Sequence, residues 1–367
     1  MTRARVRKWA GGLALSLLVL ALVEGTCSAL WFGWELWTRF ELPIQERHHT
    51  RYDPELGWVN QPNLSDPDLY APGRGFTSNA QGFRNRYDIP EAVPEGRLRV
   101  ICCGDSFTIG YGVGDSESWP AQLEALDARI EAVNMGQGGY GADQAWMWYR
   151  RDGLPLEHQL LVFAFIGDDF ERARRSTFRG YSKPLLRAVD GRIAVGNVPV
   201  PPSSLRFPLW TQNAPLFSEL RTVELAQRVL RKLVGPRGAP QPDLSQPEAH
   251  DLALALFRDL ELATRERGAR LALVLLPNLD SRKDDQLGGV PAYVEQALTQ
   301  AAAEGLCVID LRAAFGALDP AARRALFIQA GELPLPGAKG HYNARGNQFA
   351  ATALHAELLR AGLLPPP

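Results

Sequence analysis

From residue 98 onward, short and almost wholly apolar runs alternate with stretches of helical period. Leu98-Arg99-Val100-Ile101-Cys102-Cys103 predicts a buried strand, followed by a helix over 118–128, a strand over 130–135 and a helix over 142–152. Residues 160–166 predict a third strand, apolar enough to be covered on both faces. After an interruption the alternation resumes with a helix over 249–267, a strand over 269–276, a helix over 291–304, a strand over 306–311 and a last helix over 344–361. Buried strands separated by helices predict an α/β fold, a parallel sheet with helices on both faces. The interruption, residues 170–247, reads as an insertion. It holds a hairpin of 185–189 with 192–195 across Asp190-Gly191, an amphipathic helix near 218–234 and a Pro/Gly/Gln-rich linker over 235–247. Residues 38–95, rich in Pro, Asn, Asp and Gly with little period, are expected to form an irregular lead-in that wraps the domain.

The first 37 residues have a different pattern. Arg3, Arg5, Arg7 and Lys8 precede an uncharged run from Trp9 to Val23, and after Glu24 the run continues to Trp34. Together these are long enough to cross about 30 Å of hydrocarbon, with Trp31, Trp34 and Trp37 where an interfacial aromatic belt would lie. An uncleaved signal anchor is expected over residues 1–37, with the basic end in the cytoplasm and residues 38–367 outside the cytoplasmic membrane, periplasmic if the cell is Gram-negative. The alternative is secretion after cleavage near Cys27-Ser28-Ala29.

Composition narrows the classes. The 367 residues are 46% hydrophobic and 22% charged, which excludes a disordered chain. A formal net charge of −1 gives no global field to hold nucleic acid. The four cysteines, Cys27, Cys102, Cys103 and Cys307, show no metal-knuckle spacing and read as buried small apolar groups.

Ligands of parallel α/β sheets sit beyond the carboxyl ends of the strands, so the residues there carry the candidate chemistry. The first strand is followed by Gly104-Asp105-Ser106, which would present a hydroxyl at a sharp strand-to-helix turn with backbone N–H groups nearby. The second is followed by Gly136-Gln137-Gly138-Gly139-Tyr140-Gly141 and the third by Gly167-Asp168-Asp169. His341 stands just before the last helix, alone among six histidines in that placement.

These four blocks together resemble the GDSL/SGNH hydrolase superfamily, over roughly residues 98–361. Tyr52-Asp53-Pro54, Gly57-Trp58 and Gly82-Phe83-Arg84 look like the lead-in of its membrane-anchored bacterial members. The resemblance implies a three-layer flavodoxin-like domain over 96–367, ester chemistry and no cofactor. It makes Ser106 the nucleophile, His341 the general base, and the N–H groups of Ser106 and Gly139 oxyanion donors. Asp168 falls where the family uses an asparagine donor, but an ionised carboxylate only accepts; it would donate if protonated. Losing such a donor costs about 10²–10³ in kcat. The family's acid two or three residues before the histidine is replaced by Lys339 and Ala338. Glu332 or Asp310 from another loop, or a backbone carbonyl, would then orient the ring.

The expected function is a membrane-anchored serine esterase or O-acyltransferase acting on a small-molecule or polysaccharide ester, with O-acetyl groups of envelope polysaccharide as the guess from location. A degenerate, non-catalytic binding module in envelope polysaccharide assembly is the alternative. Three other features have plainer readings. Gly136-x-Gly138-x-x-Gly141 fits a dinucleotide fingerprint, but not on the first strand. His48-His49 with Asp53 lacks a zinc-like ligand set and reads as an exposed loop. Arg172, Arg174, Arg175, Arg179, Lys183, Arg187 and Arg192 read as a solvated face, or else as a contact for anionic glycan or headgroups.

Overall fold

In the computed structural model, residues 3–38, 49–179, 181–201, 222, 243–280 and 283–366 are described. The chain divides into two units, residues 1–42 with 202–240, and residues 43–201 with 241–367. In the first, α1 (Arg3–Thr38) contains the one stretch among the described residues, Arg7–Leu30, long and apolar enough to cross a membrane. Its leucines from Leu13 to Leu22 are exposed. The Glu24 carboxylate accepts the Ser28 hydroxyl at 3.4 Å and the Thr222 N–H at 3.0 Å. The helix expected near 218–234 lies outside the described residues apart from Thr222, which is helical.

The second unit is built on strands β1 (Leu98–Gly104), β2 (Ile130–Gly136), β3 (Leu160–Phe165), β4 (Arg270–Leu275) and β5 (Val308–Asp310). They form a five-stranded parallel sheet in the order β2-β1-β3-β4-β5. That is the doubly wound flavodoxin-like order, whose switch point lies between β1 and β3. Alternation along each strand divides the core in two. Ile101, Cys103, Val133 and Phe163 face one layer, which contains α4 (Ala142–Trp148), α6 (Gln246–Glu266) and α7 (Ala292–Ala303). Val100, Cys102, Ala132 and Val162 face α3 (Trp119–Leu126) and α8 (Ala344–Arg360). Cys102 and Cys103 thus lie on opposite faces, and burial raises the pKa of both thiols.

The hairpin across Asp190-Gly191 pairs Val189 with Arg192, and both turn residues take the positive φ that this tight turn requires. Helix α6 starts at Gln246, three residues before the apolar period, because Ser245 and Glu248 form a capping box. The second predicted helix leaves α geometry after Trp148 and ends in a π turn over Tyr149–Gly153.

The largest departure concerns the lead-in. It is not irregular: Thr50–Asp53 pairs with Gly57–Asn60, and Ser65–Ala71 with Arg74–Thr77. His49 is buried rather than exposed, its ring 4.9 Å from that of Phe76; His48 lies outside the described residues. No metal-binding cluster occurs among the described residues. Tyr70 and Phe76 of the second hairpin join Ile109, Tyr111, Ile328, Leu333, Leu335 and Ala338 in a third apolar cluster.

Candidate active site

Gly104 ends β1 where a Cβ would lie 2.3 Å from Thr108 Oγ1 and 2.4 Å from the Ala164 carbonyl, so the sharp turn needs glycine. Asp105 caps the four-residue helix α2 (Ser106–Ile109), its Oδ1 accepting the Phe107 N–H at 2.8 Å. Ser106 is thereby the first helical residue, at the carboxyl edge of the sheet beside the switch point. From the other end of the chain, the loop before α8 brings in His341, whose Nε2 lies 2.8 Å from Ser106 Oγ. The imidazole stacks on Phe107 at 4.8 Å and tilts against Tyr111 at 5.1 Å. Its Nδ1 faces the Ala338 carbonyl oxygen at 3.3 Å. The tautomer protonated on Nδ1 satisfies that carbonyl and leaves Nε2 to accept the Ser106 proton.

The other expected residues are placed as follows. Gly139 follows β2 with φ +75°, and a Cβ there would lie 2.6 Å from the Phe178 ring. Neither the Ser106 nor the Gly139 N–H has a protein acceptor among the described residues. Asp168 is exposed on the first turn of α5 (Gly167–Ala173). Glu332 accepts the Gln329 N–H at 2.9 Å, and both carboxylate oxygens of Asp310 are engaged by Arg312. The described carboxylate contacts of both therefore lie away from the ring, and among the described contacts the Ala338 carbonyl lies at Nδ1. Of the dinucleotide-like glycines, Gly136 and Gly141 are explained by packing: a Cβ on Gly136 would lie 2.1 Å from the Ile109 nitrogen, and one on Gly141 2.9 Å from the Asp169 carbonyl.

The basic run is not one solvated face. Lys183 is fully buried and paired with Asp143, and the cost of desolvation lowers its pKa. Arg174 pairs with Glu171, and Arg187 with Glu248. Arg172 turns inward, its Nη1 donating to Asp105 Oδ2 at 3.0 Å, Asp169 Oδ1 at 2.7 Å and the Tyr140 carbonyl at 2.9 Å. An NH₂ group has two hydrogens, so three acceptors share them. Burial, and then the charge of Asp105, pushes the Asp169 carboxyl well above its ordinary pKa. Arg84 is the other residue sequence reasoning passed over. Its guanidinium donates to the carbonyls of Ile109 (2.6 Å) and Gly110 (2.7 Å), which end helix α2, and to those of Gly75 and Val113. The signals were present, in the Gly82-Phe83-Arg84 block and in an arginine one turn after Asp168-Asp169.

No family model matches the chain, and no curated protein matches it. Solved structures do. A lipase/acylhydrolase from Enterococcus faecalis is 16% identical over 74% of this chain and 98% of its own, with a TM-score of 0.40. A putative lipolytic protein of the G-D-S-L family from Desulfitobacterium hafniense DCB-2 is 15% identical over 71% and 99%, with a TM-score of 0.32. Axe2, an acetylxylan esterase from Geobacillus stearothermophilus, is 14% identical over 72% and 96%, with a TM-score of 0.37. These likenesses are distant, and the site stands on its own geometry.

Proposed function

We propose that the chain is a membrane-anchored SGNH-type serine esterase, or an O-acyltransferase of the same chemistry, acting outside the cytoplasmic membrane. The observation that carries this reading is the 2.8 Å contact of Ser106 Oγ with His341 Nε2 at the carboxyl edge of the sheet. Ser106 Oγ bonds to the ester carbonyl carbon as its proton passes to His341 Nε2. The carbonyl oxygen becomes an oxyanion facing the N–H groups of Ser106 and Gly139. The carbon–alkoxide bond then breaks, and His341 returns the proton to the departing alkoxide. Water or an acceptor hydroxyl attacks the acyl-enzyme and gives its proton to His341; the bond from Ser106 Oγ to the acyl carbon breaks, and His341 returns the proton to Oγ. Helix α1 supports the anchor by length and exposed apolar surface. An acetylated envelope polysaccharide is the substrate that this location suggests.

The test uses the full chain in detergent, with Ser106→Ala as control. Turnover of p-nitrophenyl acetate and fluorophosphonate labelling are both expected to require Ser106 and His341. The second reading, a non-catalytic ester-binding module, is favoured by the exposed Asp168 at the position of the expected donor. A folded chain that neither labels nor turns over would establish it in place of the esterase.

A further inference from the structure

If the site is a hydrolase, the donor that Asp168 withholds must come from elsewhere or be missing. Arg172 lies one helical turn after Asp168 on α5. Its Nη1 is 3.0 Å from Asp105 Oδ2, and that same oxygen is 3.3 Å from Ser106 Oγ. Two hydrogen-bond lengths therefore connect the guanidinium to the nucleophile. Its Cζ also lies 5.4 Å from the centre of the Phe178 ring, the ring that packs on Gly139. One intervening group thus separates the cation from each of Ser106 and Gly139. Its described hydrogen bonds all leave from Nη1. Among the described residues no protein acceptor engages Nε or Nη2, and the side chain keeps 17% of its surface open. A buried structural arginine ordinarily commits its whole fork; this one is fixed by one arm and leaves the other N–H groups available.

We propose that Arg172 is a catalytic residue that donates through Nε or Nη2 to the oxyanion, replacing the donor lost at Asp168. The proposal rests on the esterase reading. A fixed cation in a partly dry site stabilises charge that develops only in the tetrahedral state, so it acts on kcat rather than KM.

The test uses the full chain in detergent, with p-nitrophenyl acetate as substrate and phenylboronic acid as a tetrahedral probe. If the wild type shows no Ser106-dependent turnover, the esterase reading fails before Arg172 is touched. Given turnover, Arg172→Gln is expected to lower kcat by about 10²–10³ with little change in KM, and to weaken boronate inhibition by a similar factor. Arg172→Lys should retain part of the rate. Because Arg172→Gln leaves Asp105 and Asp169 without their cation, Arg172→Gln/Asp169→Asn provides a version with less uncompensated charge. Asp168→Asn, on the exposed turn, should raise wild-type kcat less than tenfold but the Arg172→Gln rate by about 10² or more. The proposal is overturned if folded Arg172→Gln keeps its kcat, or if boronate affinity does not follow kcat/KM. A gain of 10² or more from Asp168→Asn in the wild type would also overturn it, because the donor position would then have been vacant.

Discussion

Two arginines reach the turn at Ser106, and they are used in opposite ways. Arg84 commits all five N–H groups: Nε to Asp115 and the two NH₂ groups to four backbone carbonyls, with 1% of its side chain exposed. Arg172 binds its acceptors through a single nitrogen and keeps an open edge. A fully satisfied buried cation has no hydrogen bond left to give a substrate and can act only through the backbone it holds. A partly satisfied cation at a cleft can respond to charge that appears during reaction. Exposure alone separates the two poorly; the allocation of donors separates them well.

The largest expected effect is on stability. Arg84→Met removes five hydrogen bonds, to Asp115 and four backbone carbonyls, and should cost about 3–5 kcal/mol, read from urea unfolding. If the variant unfolds no earlier than wild type, Arg84 is not the clamp described. Gly139→Val should come next. It forces a β-branched residue into φ +75° against the Phe178 ring, at about 1–2 kcal/mol of backbone strain, and should slow fluorophosphonate labelling of Ser106 by tenfold or more. Unchanged labelling would remove Gly139 from the oxyanion site. Phe178→Ala removes the ring under Arg172 and should lower kcat threefold to fivefold, in line with about 0.5–1 kcal/mol for such a contact. An equal loss in an Arg172→Gln background would show that the ring acts independently of the arginine.

The smallest effect concerns pH. The raised pKa of Asp169 contributes stability that is fully present below the unfolded value of about 3.9 and is lost as pH rises through the folded value. Asp169→Asn does not titrate at this position, so its urea midpoint should fall less than that of wild type between pH 4 and pH 8. Parallel midpoints would show that Asp169 titrates normally.

The sheet was legible because β1 to β4 are apolar runs with little else to become, and the 185–196 hairpin because Asp190-Gly191 suits few other turns. Ser106 and His341 were legible from their placement after a strand and before a helix. The lead-in hairpins were not. Their strands are short, and the Ser65–Ala71 strand carries Pro67 within a register shift, which erases period-two alternation. Lys183 and Arg172 were misread for another reason. Sequence shows a charge but not its partner: Asp143 is forty positions from Lys183, and Asp105 sixty-seven from Arg172.

Ser106 and His341, the proposed nucleophile and its base, are separated by 235 positions along the chain. A chain interrupted anywhere between them carries the serine without its proposed base. The two meet only when the segment carrying His341 is seated, and helix α8 after it packs beside α3, with Asn347 accepting the Trp119 N–H at 3.0 Å. Under the proposed chemistry, the reactivity of Ser106 would therefore report on that docking.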